Sequence, residues 1–427
     1  MRATIAYRPG RDRAVNIAVV GAGIAGLGAA YLLAREHKVT LFERDERLGG
    51  HSNTVVVDIG ERELGLDTGF LVHNERNYPN LIRLFRELDV ATQPSEMSFS
   101  VSCQGCGLEY SGRKPFAQRS NILKPRFYAF LYDVVDFLRT APKSLRAGDL
   151  AGRTLDQYVV ARRYSRSFRN HFLVPLTAAL WSTAPNLAGS FPIEHAVRFF
   201  DHHGMLGFGR FEWRTVSGGT RTYVERISER LGSAVRAGTP IRSIARGGRD
   251  ATLRLDDGTS ERFDAVVLAV HADDALALLE RPTQVEQQVL GAFGFTRNET
   301  VLHHDERFLP TRHKARASWN YHLSSCEAAQ GEPTMTYYLN RLQQLDEPRH
   351  YCVTLNRSDE IDPNSVLKTI VYEHPQYSVA SLAALSRVAE LQGGARTYYC
   401  GAWQGFGFHE DGFNSAIAVA SSLGVEW

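Results

Sequence analysis

The sequence lacks an excess of charge of either sign. Its 427 residues include 49 lysines and arginines against 47 aspartates and glutamates, a formal net charge of +2. This balance excludes a strongly basic nucleic-acid-binding surface, so we expect no nucleic-acid partner. Cysteine is also scarce, because five residues form no even disulfide framework, and this favours a reducing, cytoplasmic compartment. The chain has no internal repeat and no low-complexity linker, and its length suits about two domains.

A glycine-rich turn stands between a strand pattern and a helix pattern near the start of the sequence. Residues 15–20 are apolar and rich in β-branched side chains, and residues 27–35 have the apolar spacing of a helix. The turn between them follows G-x-G-x-x-G, and a second short strand ends at Glu43, 22 residues after Gly21. In such a βαβ unit the glycines allow a tight turn, close approach of a pyrophosphate and close helix packing. We therefore predict a dinucleotide site with Glu43 at the adenosine ribose.

The same region is the longest apolar run, Val15 to Ala34, and hydropathy alone would suggest a membrane span. The glycines and the strand-turn-helix pattern argue against that interpretation. Basic residues precede the run and imitate a signal peptide, but cleavage there would destroy the nucleotide site, so we expect no export. These residues are Arg2, Arg8, Arg11 and Arg13.

The sequence favours FAD over a nicotinamide dinucleotide. It contains a single G-x-G-x-x-G fingerprint, whereas a flavoenzyme reduced by NAD(P)H needs two. A glycine doublet, Gly49-Gly50, follows Glu43, and a glycine-rich turn precedes the last predicted helix. Both features suit a long, extended FAD whose isoalloxazine ring lies at the start of that helix.

The order of elements predicts an α/β fold in which a Rossmann-type FAD-binding domain carries an inserted α+β substrate domain. We assign residues 1–78, 218–284 and 395–427 to the FAD-binding domain and residues 79–217 and 285–394 to the substrate domain. Within these domains the patterns predict a helix over 79–92, a hairpin pairing 98–101 with 108–110, helices over much of 121–200, and a strand over 235–244.

Several segments carry a family resemblance. IAVVGAGIAGLGAAYLLA, the following E-x-x-x-R-L-G-G and the C-terminal GFHEDGFNSAIAVA resemble the flavin-containing amine oxidase and phytoene desaturase superfamily. More narrowly, DTGFLVHNERNYPNLIRLFRELDVATQPSEMSFSVS and FEWRTVSGGTRTYVERI resemble the predicted FAD-dependent oxidoreductases associated with cyclopropane fatty-acyl synthases. The resemblance leaves out only residues 1–14, and it implies a non-covalently bound FAD.

The resemblance also implies which residues contact the cofactor. The pyrophosphate, the adenosine, the ribityl chain and the flavin ring would be met by Gly21, Gly23, Ala25, Gly26, Glu43, Arg44, Gly50, His51, Gly69, Phe70, Ile241, Gly401, Phe413 and Asn414. The sequence departs from amine oxidases where His51 replaces an arginine, where no cysteine stands beside Phe413, and where no lysine is found near residues 298–300. These departures weaken the amine-oxidase interpretation more than the flavoprotein interpretation.

Candidate catalytic groups are few. His409 and Glu410 directly precede the predicted flavin-facing helix, although a loop or helix-capping role for this segment is equally compatible with the sequence. Cys103 and Cys106 form a C-x-x-C pair, which suits a redox pair or half a zinc site. Because no second pair or histidine follows at metal-binding spacing, we expect an ordinary hairpin tip and no metal site.

The predicted reaction is removal of hydride from a C–H bond, with oxygen or a quinone-like compound as final acceptor. The first hypothesis is desaturation of a hydrophobic substrate, namely a fatty-acyl lipid. The second is amine oxidation, and the third is a flavin-binding partner of a lipid-modifying enzyme without turnover. Residues 113–146 combine basic and aromatic side chains, which suits a solvated face or a peripheral membrane contact. In the membrane alternative the basic residues bind the anionic surface, and Phe127, Tyr128 and Phe130 add apolar contact if they face outward.

Overall fold

The computed structural model describes residues 14–60, 62–207, 211–327 and 333–427, so the four arginines at positions 2, 8, 11 and 13 lie outside it. Its strands are β1 (Asn16–Val20), β2 (Lys38–Phe42), β3 (Thr54–Asp58), β4 (Glu63–Asp67), β5 (His73–Asn74), β6 (Thr92–Pro94), β7 (Phe99–Cys103), β8 (Leu108–Ser111), β9 (Trp213–Val216), β10 (Val235–Arg236), β11 (Ile241–Arg246), β12 (Ala251–Leu255), β13 (Ser260–Phe263), β14 (Ala265–Leu268), β15 (Gly294–His303), β16 (Trp319–Leu323), β17 (Met335–Tyr338), β18 (Cys352–Leu355), β19 (Val366–Gln376) and β20 (Thr397–Tyr399).

Its α-helices are α1 (Ile24–Leu33), α2 (Pro79–Glu87), α3 (Pro125–Ala147), α4 (Leu155–Arg162), α5 (Arg166–Phe168), α6 (Val174–Trp181), α7 (Pro185–Ala188), α8 (Ile193–His202), α9 (Arg221–Leu231), α10 (Ala272–Leu278), α11 (Gln284–Leu290), α12 (Leu339–Leu342), α13 (Val379–Leu385) and α14 (His409–Ser422). Short 3-10 turns connect several of them, and one π-helical turn spans Arg169–Leu173.

A parallel five-stranded sheet in the order β10-β2-β1-β14-β20 forms the nucleotide-binding layer. The chain leaves β1 through Gly21, whose φ of +98° suits glycine and whose N–H donates to the Phe42 carbonyl at 2.8 Å. All ten residues of α1 are buried, since the sheet lies on one side and α14 on another. The run from Val15 to Ala34 is therefore strand, turn and core helix, as predicted. Among the described helices, none is long and apolar enough to cross a membrane.

The nucleotide sheet takes its strands from three separated stretches of sequence, as a domain with two insertions would. The domain boundaries themselves stay a prediction. Helix α2, which the sequence assigns to the substrate domain, packs Leu81, Leu84 and Phe85 into the same core as α1. That helix is also shorter than predicted, because Asp89 takes a φ of +56° and the Val90 N–H returns to the Phe85 carbonyl at 2.8 Å.

The insertions build a seven-stranded sheet in the order β19-β15-β18-β17-β16-β7-β8 and a layer of helices, α3 to α8. The predicted hairpin is confirmed, since Val101 of β7 pairs with Tyr110 of β8. Strands β7 and β16 run parallel, and Leu323 lies opposite Cys103.

One predicted strand is wrong. Residues 235–244 form two strands, of which β10 joins the nucleotide sheet and β11 joins a separate antiparallel sheet with β12 and β13. Gly238 has a φ of +59°, and Pro240 lacks the N–H that a continuous ladder needs. The chain therefore turns between the two strands.

Candidate active site

A cavity of about 1460 Å³ extends from the carboxyl ends of the nucleotide strands to the insertion. Drug-sized ligands occupy pockets of about 300–1,000 Å³, so this space exceeds what one such ligand needs. At the nucleotide end the wall is formed by the β1–α1 turn, the end of β2 and the start of β11. At the other end it is formed by β7, β16, β17 and α8.

The β1–α1 turn supplies an open anion cradle. Gly21, Gly23 and Ala25 lie on the cavity wall, and a Cβ built on Gly23 would meet no atom within 4 Å. Gly23 is the N-cap of α1 and makes no side-chain cap, so the helix terminus presents its N–H groups to the cavity. Gly26 behaves differently, because its Cβ would lie 1.8 Å from the Gly21 carbonyl oxygen. The predicted contact of Gly26 with pyrophosphate is corrected to tight helix-turn packing.

Glu43 is held at the end of β2 by backbone donors. The Ala22 N–H donates to its Oε2 at 2.7 Å and the Asp45 N–H donates to its Oε1 at 3.1 Å. Arg44 and Ile241 lie on the same wall. This arrangement puts a fixed carboxylate beside the cradle, where a ribose hydroxyl can donate to it. The adenosine roles of these three residues stay predictions.

The middle of the wall is formed by two segments in close backbone contact. A Cβ on Gly69 would lie 2.2 Å from the His51 carbonyl oxygen, which also accepts from the Phe70 N–H at 2.8 Å. His51, Gly50, Gly69 and Phe70 all line the cavity. The His51 ring stacks on Tyr372 at 4.7 Å, and burial first, then neighbouring histidines, hold the pKa of His51 well below its usual value. Its imidazole is therefore neutral.

Trp319 Nε1 at the insertion end of the cavity is buried without a hydrogen-bond partner among the described residues, and two further atoms of this kind lie on the rest of the wall. They are His51 Nε2 and Trp403 Nε1, and Trp403 follows the cavity-lining Gly401. A buried polar atom without a hydrogen-bond partner destabilises the folded protein, and a polar ligand that pairs with it removes this destabilisation. An isoalloxazine ring with its carbonyl and nitrogen acceptors fits these atoms, and a pyrophosphate fits the cradle at Gly23. The residues present thus suit FAD along the full length of the site.

His409 lines the cavity, but its ring is held from several sides. Its Nε2 lies 2.9 Å from Ser52 Oγ and 3.2 Å from the Tyr223 hydroxyl, and the ring stacks on Phe70 at 3.8 Å. Burial lowers the pKa of His409 to about 3, so the ring is neutral at physiological pH. A catalytic role for His409 stays a prediction, and any such role uses an uncharged imidazole.

Three predicted site residues on α14 have side chains that contact other elements of the fold, and their roles at the flavin or in catalysis stay predictions. The carboxylate of Glu410 accepts from the Asn80 and Leu81 N–H groups at 2.9 Å each, so it caps α2. Phe413 is fully buried and fills the space over Gly28 on α1. Asn414 is exposed and accepts from Asn80 Nδ2 at 2.9 Å. The helix begins where expected, but it presents this face to α1 and α2 and not to the cavity.

The sequence alone did not indicate which residues line the insertion side of the wall. Apart from the residues of β15 and β19, its described residues are Met97, Ser98, Phe99, Gly112, Arg113, Leu180, Ser182, Phe199, His203, Gly204, Met205, Gly207, Phe211, Trp213, Trp319 and Tyr337. Most are apolar or aromatic, and none is acidic. Arg113 is the one formally charged residue among them, and its side chain is 65% exposed. These residues are scattered over more than 200 positions, and the only signal for them was their presence in family-like segments.

Residue 298, near which an amine oxidase carries its lysine, is an asparagine in a closed polar network. Asn298 on β15 is fully buried, its Nδ2 lies 3.0 Å from His374 Nδ1, and its Oδ1 accepts from Asn356 Nδ2 at 2.9 Å. Burial lowers the pKa of His374 to about 4, so this network is uncharged. The position therefore offers no cation to a reacting group.

The basic-aromatic stretch only partly matches its predicted orientation. Phe127 and Phe130 face inward, with 5% and 1% exposure, so these two rings do not add apolar contact at the surface. Tyr128 is exposed and can add such contact. Other bulky side chains share this surface, which we call the α3 face, and they are Phe116, Ile122, Leu123 and Tyr132.

With this geometry in view, the chain can be compared with known proteins. The sequence model for flavin-containing amine oxidoreductases matches residues 24–356. The chain belongs to this family. Membership confirms the predicted superfamily, the Rossmann-type α/β fold and FAD as the non-covalent cofactor.

Among this family's members, a protein named as a flavin-containing monoamine oxidase of Mycobacterium tuberculosis is 25% identical over 296 residues, which cover 65% of this chain. The match spans only 61% of that relative's length. Two solved structures share the fold at 16% identity and a TM-score of 0.69. Cyclohexylamine oxidase from Brevibacterium oxydans aligns over 96% of this chain and 100% of its own. The CLA-producing fatty acid isomerase from P. acnes aligns over 98% and 100%.

Proposed function

We propose that the protein is an FAD-dependent oxidoreductase that dehydrogenates a C–C bond of a fatty-acyl substrate, with oxygen or a quinone-like compound as final acceptor. The observation that carries this proposal is the absence of acidic side chains among the described residues that line the insertion side of the wall outside β15 and β19. The fold does not choose the substrate, because both an amine oxidase and a fatty acid isomerase use it.

An acyl chain matches the chemistry of this wall. Each buried methylene contributes about 0.8 kcal/mol of binding free energy, and Phe99, Phe199 and Trp319 supply apolar surface for it. A protonated amine loses its hydration on leaving water and is best compensated by a carboxylate, and the described residues on this part of the wall include none. Arg113 instead offers a cation to the anionic head of a fatty acid or phospholipid.

The chain's own residues position the substrate and exclude water, whereas bound FAD supplies the two-electron acceptor for hydride. The neutral rings of His51, His374 and His409 keep positive charge away from the middle of the cavity. His203, on the insertion side, is neutral for the same reason, since burial lowers its pKa to about 4. This environment suits an uncharged hydrocarbon at the reaction centre.

Amine oxidation is the second candidate, and one carboxylate favours it. Glu373 of β19 lies on the cavity wall beside His271, with 3.4 Å between its Oε2 and the ring Nδ1. It could hold an ammonium group at that position. The side chain of Phe413 adds no aromatic wall for an amine, because its ring packs against Gly28 of α1.

Flavin bleaching under anaerobic conditions tests the two candidates. The holoprotein is mixed with a long-chain fatty acid, an acyl phospholipid, putrescine or cyclohexylamine, and flavin absorbance is followed. We expect bleaching with an acyl compound and none with the amines. Arg113→Glu should weaken the apparent affinity about fivefold, the size of a contact in partial exposure, whereas Arg153→Glu, an exposed arginine outside the cavity wall, should not.

Other outcomes point elsewhere. Bleaching by amines alone, lost in Glu373→Gln, would replace the acyl proposal with amine oxidation. Bleaching by neither class, with FAD retained, would favour the third hypothesis of a flavin-binding partner without turnover.

A further inference from the structure

Three of the five cysteines converge with one histidine far from the cavity. Cys103, Cys106, Cys326 and His171 each offer a ligand atom, and these atoms all lie within 4.8 Å of one another. None of these four described residues lines the cavity. The sequence predicts no metal site, because no second cysteine pair or histidine follows the C-x-x-C pair at metal-binding spacing. The fold instead brings His171 from 65 residues away from Cys106 and Cys326 from 223 residues away from Cys103.

The distances suit tetrahedral coordination. With Zn–S near 2.3 Å and Zn–N near 2.0 Å, two sulfurs on one ion lie about 3.8 Å apart, and a sulfur and a nitrogen about 3.5 Å apart. In the structure the Cys103 and Cys326 sulfurs are 3.8 Å apart, and Cys106 Sγ is 3.7 Å from His171 Nε2. These two distances are close to those of opposite edges of such a tetrahedron, and the other pairs of ligand atoms lie within 4.8 Å.

The four side chains are held by contacts that do not depend on a metal. Cys103 ends β7, Cys106 lies in the β7–β8 turn, and Cys326 follows β16, the parallel neighbour of β7. Gly105 makes the close approach possible, because a Cβ there would lie 2.9 Å from the Cys326 nitrogen. The site is thus pre-organised by its backbone.

His171 is fixed by its own neighbours. It lies in the π-helical turn, a rare geometry that is frequent at functional sites. Its carbonyl accepts from the Tyr110 hydroxyl at 2.6 Å, and the adjacent Asn170 Nδ2 donates to the Cys326 carbonyl at 2.9 Å. Its Nδ1 lies 3.4 Å from Ser167 Oγ, so the other ring nitrogen has a polar neighbour, as metal-bound histidines usually do.

We propose that Cys103, Cys106, Cys326 and His171 bind one zinc ion as a Cys₃His structural site. Three thiolates and an imidazole in a tetrahedron are the donors and geometry that zinc takes in closed structural sites. On binding, each cysteine gives up its thiol proton to solvent, so the occupied site carries a single net negative charge.

A disulfide is the competing arrangement. A bond between Cys103 and Cys326 would involve only two of the four groups. It would not explain why Cys106 and His171 lie beside them. Cys106 is exposed, so an ion can reach the cluster from solvent.

The site would clamp the ends of strands whose other ends form the cavity. Strand β7 runs from Phe99 at the cavity wall to Cys103, and β16 begins with Trp319 at the same wall. The third connection, His171, belongs to the helical layer that packs on these strands. Zinc therefore joins the sheet and the helices of the insertion at a point distant from the flavin.

Metal analysis of the untagged holoprotein, purified without chelator, tests the proposal. We expect close to one zinc ion per chain by mass spectrometry. Cys106→Ser should lower the metal affinity about tenfold or more, whereas Cys352→Ala, a buried cysteine outside the cluster, should leave zinc content unchanged. Neither variant touches the flavin site, so FAD content serves as the folding control.

A second measurement needs no variant. After removal of zinc, cobalt(II) added to the wild-type chain should give the visible bands of a tetrahedral thiolate site, at wavelengths longer than those the flavin absorbs. Two results would overturn the proposal. One is wild-type protein that holds neither zinc nor cobalt, and the other is a Cys103–Cys326 disulfide found by peptide mapping after thiol alkylation.

Discussion

The two ends of the cavity are lined by different kinds of groups, backbone at one end and side chains at the other. At the nucleotide end the wall is largely backbone, with Gly21 and Gly23 beside a helix terminus and a carboxylate held by two N–H groups. At the insertion end it is side chains, with Phe99, Phe199 and Trp319 brought together from separate elements. A backbone site requires glycines at fixed spacing, whereas a side-chain site only requires apolar groups of suitable total volume. The nucleotide end should therefore tolerate few substitutions, whereas the insertion end should accommodate substitutions by repacking its side chains.

The strongest test of that difference compares two glycines three residues apart. In Gly26→Ala the new methyl would overlap the Gly21 carbonyl, so we expect a loss of about 3 kcal/mol in the free energy of unfolding. In Gly23→Ala the methyl meets open space, so the apoprotein should keep its stability within about 0.5 kcal/mol. It should nevertheless lose FAD on dialysis, because the methyl occupies the anion cradle. Urea unfolding of the apoproteins and flavin absorbance after dialysis measure both effects. Equal unfolding free energies for the two variants would contradict this account.

A second test concerns a property that both ends share. Each end buries a neutral histidine, and burial lowers the pKa of His409 to about 3 and that of His203 to about 4. Below pH 6.5 the unfolded chain binds protons that the folded chain does not, so stability is complete above that pH and falls as the pH drops towards 4. Between pH 7 and pH 4.5, we expect His409→Gln and His203→Gln each to reduce this loss by about 2–3 kcal/mol.

The control for this acid effect is His313→Gln, which changes an exposed histidine and should leave the pH dependence as it is in the wild type. Urea unfolding at several pH values provides the comparison. If the free energy of unfolding changes with pH in the same way in the wild type and in His409→Gln, the His409 ring is protonated in the folded state. That result would contradict the burial of a neutral ring.

The smallest expected effect concerns the surface outside the insertion end. The α3 face combines exposed apolar side chains, including Leu123 at 85% and Tyr132 at 72% exposure, with Lys124 and Arg126. Each basic residue near an anionic membrane contributes about 1 kcal/mol, and the effect fades within a Debye length. In vesicle flotation, we expect binding to anionic but not neutral vesicles at low salt, and weaker binding when Lys124 and Arg126 both become Glu.

A matched change of charge on the nucleotide side controls for net charge. Lys38 and Arg226 are exposed there, and their replacement by Glu should leave flotation unaffected. Protein that stays at the bottom of the gradient with anionic vesicles at low salt would exclude membrane contact through the α3 face.

The contrast between the two ends also explains what the sequence could predict. Gly21, Gly23 and Glu43 lie within one βαβ unit, where local rules of turn geometry and helix termini place them. The start of α14 is a local property that the sequence predicts, whereas the burial of the Phe413 side chain against α1 depends on tertiary packing. The strand predicted over 235–244 failed for a local reason that was present in the sequence, namely Gly238 and Pro240.

The cysteine cluster marks the limit of prediction from spacing. Cys103 and Cys106 were visible as a pair, but their partners depend on the parallel pairing of β7 with β16 and on a π-helical turn. Neither feature has a signature in the nearby sequence. The insertion-side wall was missed for the same reason, since its residues share only an apolar character that most core residues also have.

The three-part origin of the nucleotide sheet has a consequence for how the protein is made. Strand β1 and helix α1 leave the ribosome before α14, which covers α1, and before β20, at one edge of the sheet, which are synthesised more than 360 residues later. The apolar helix α1 must therefore wait for this long stretch to be made before its covering helix exists, a period in which such surface is prone to aggregation. The cofactor cavity is completed equally late, because Gly401 and His409 line it together with Gly23.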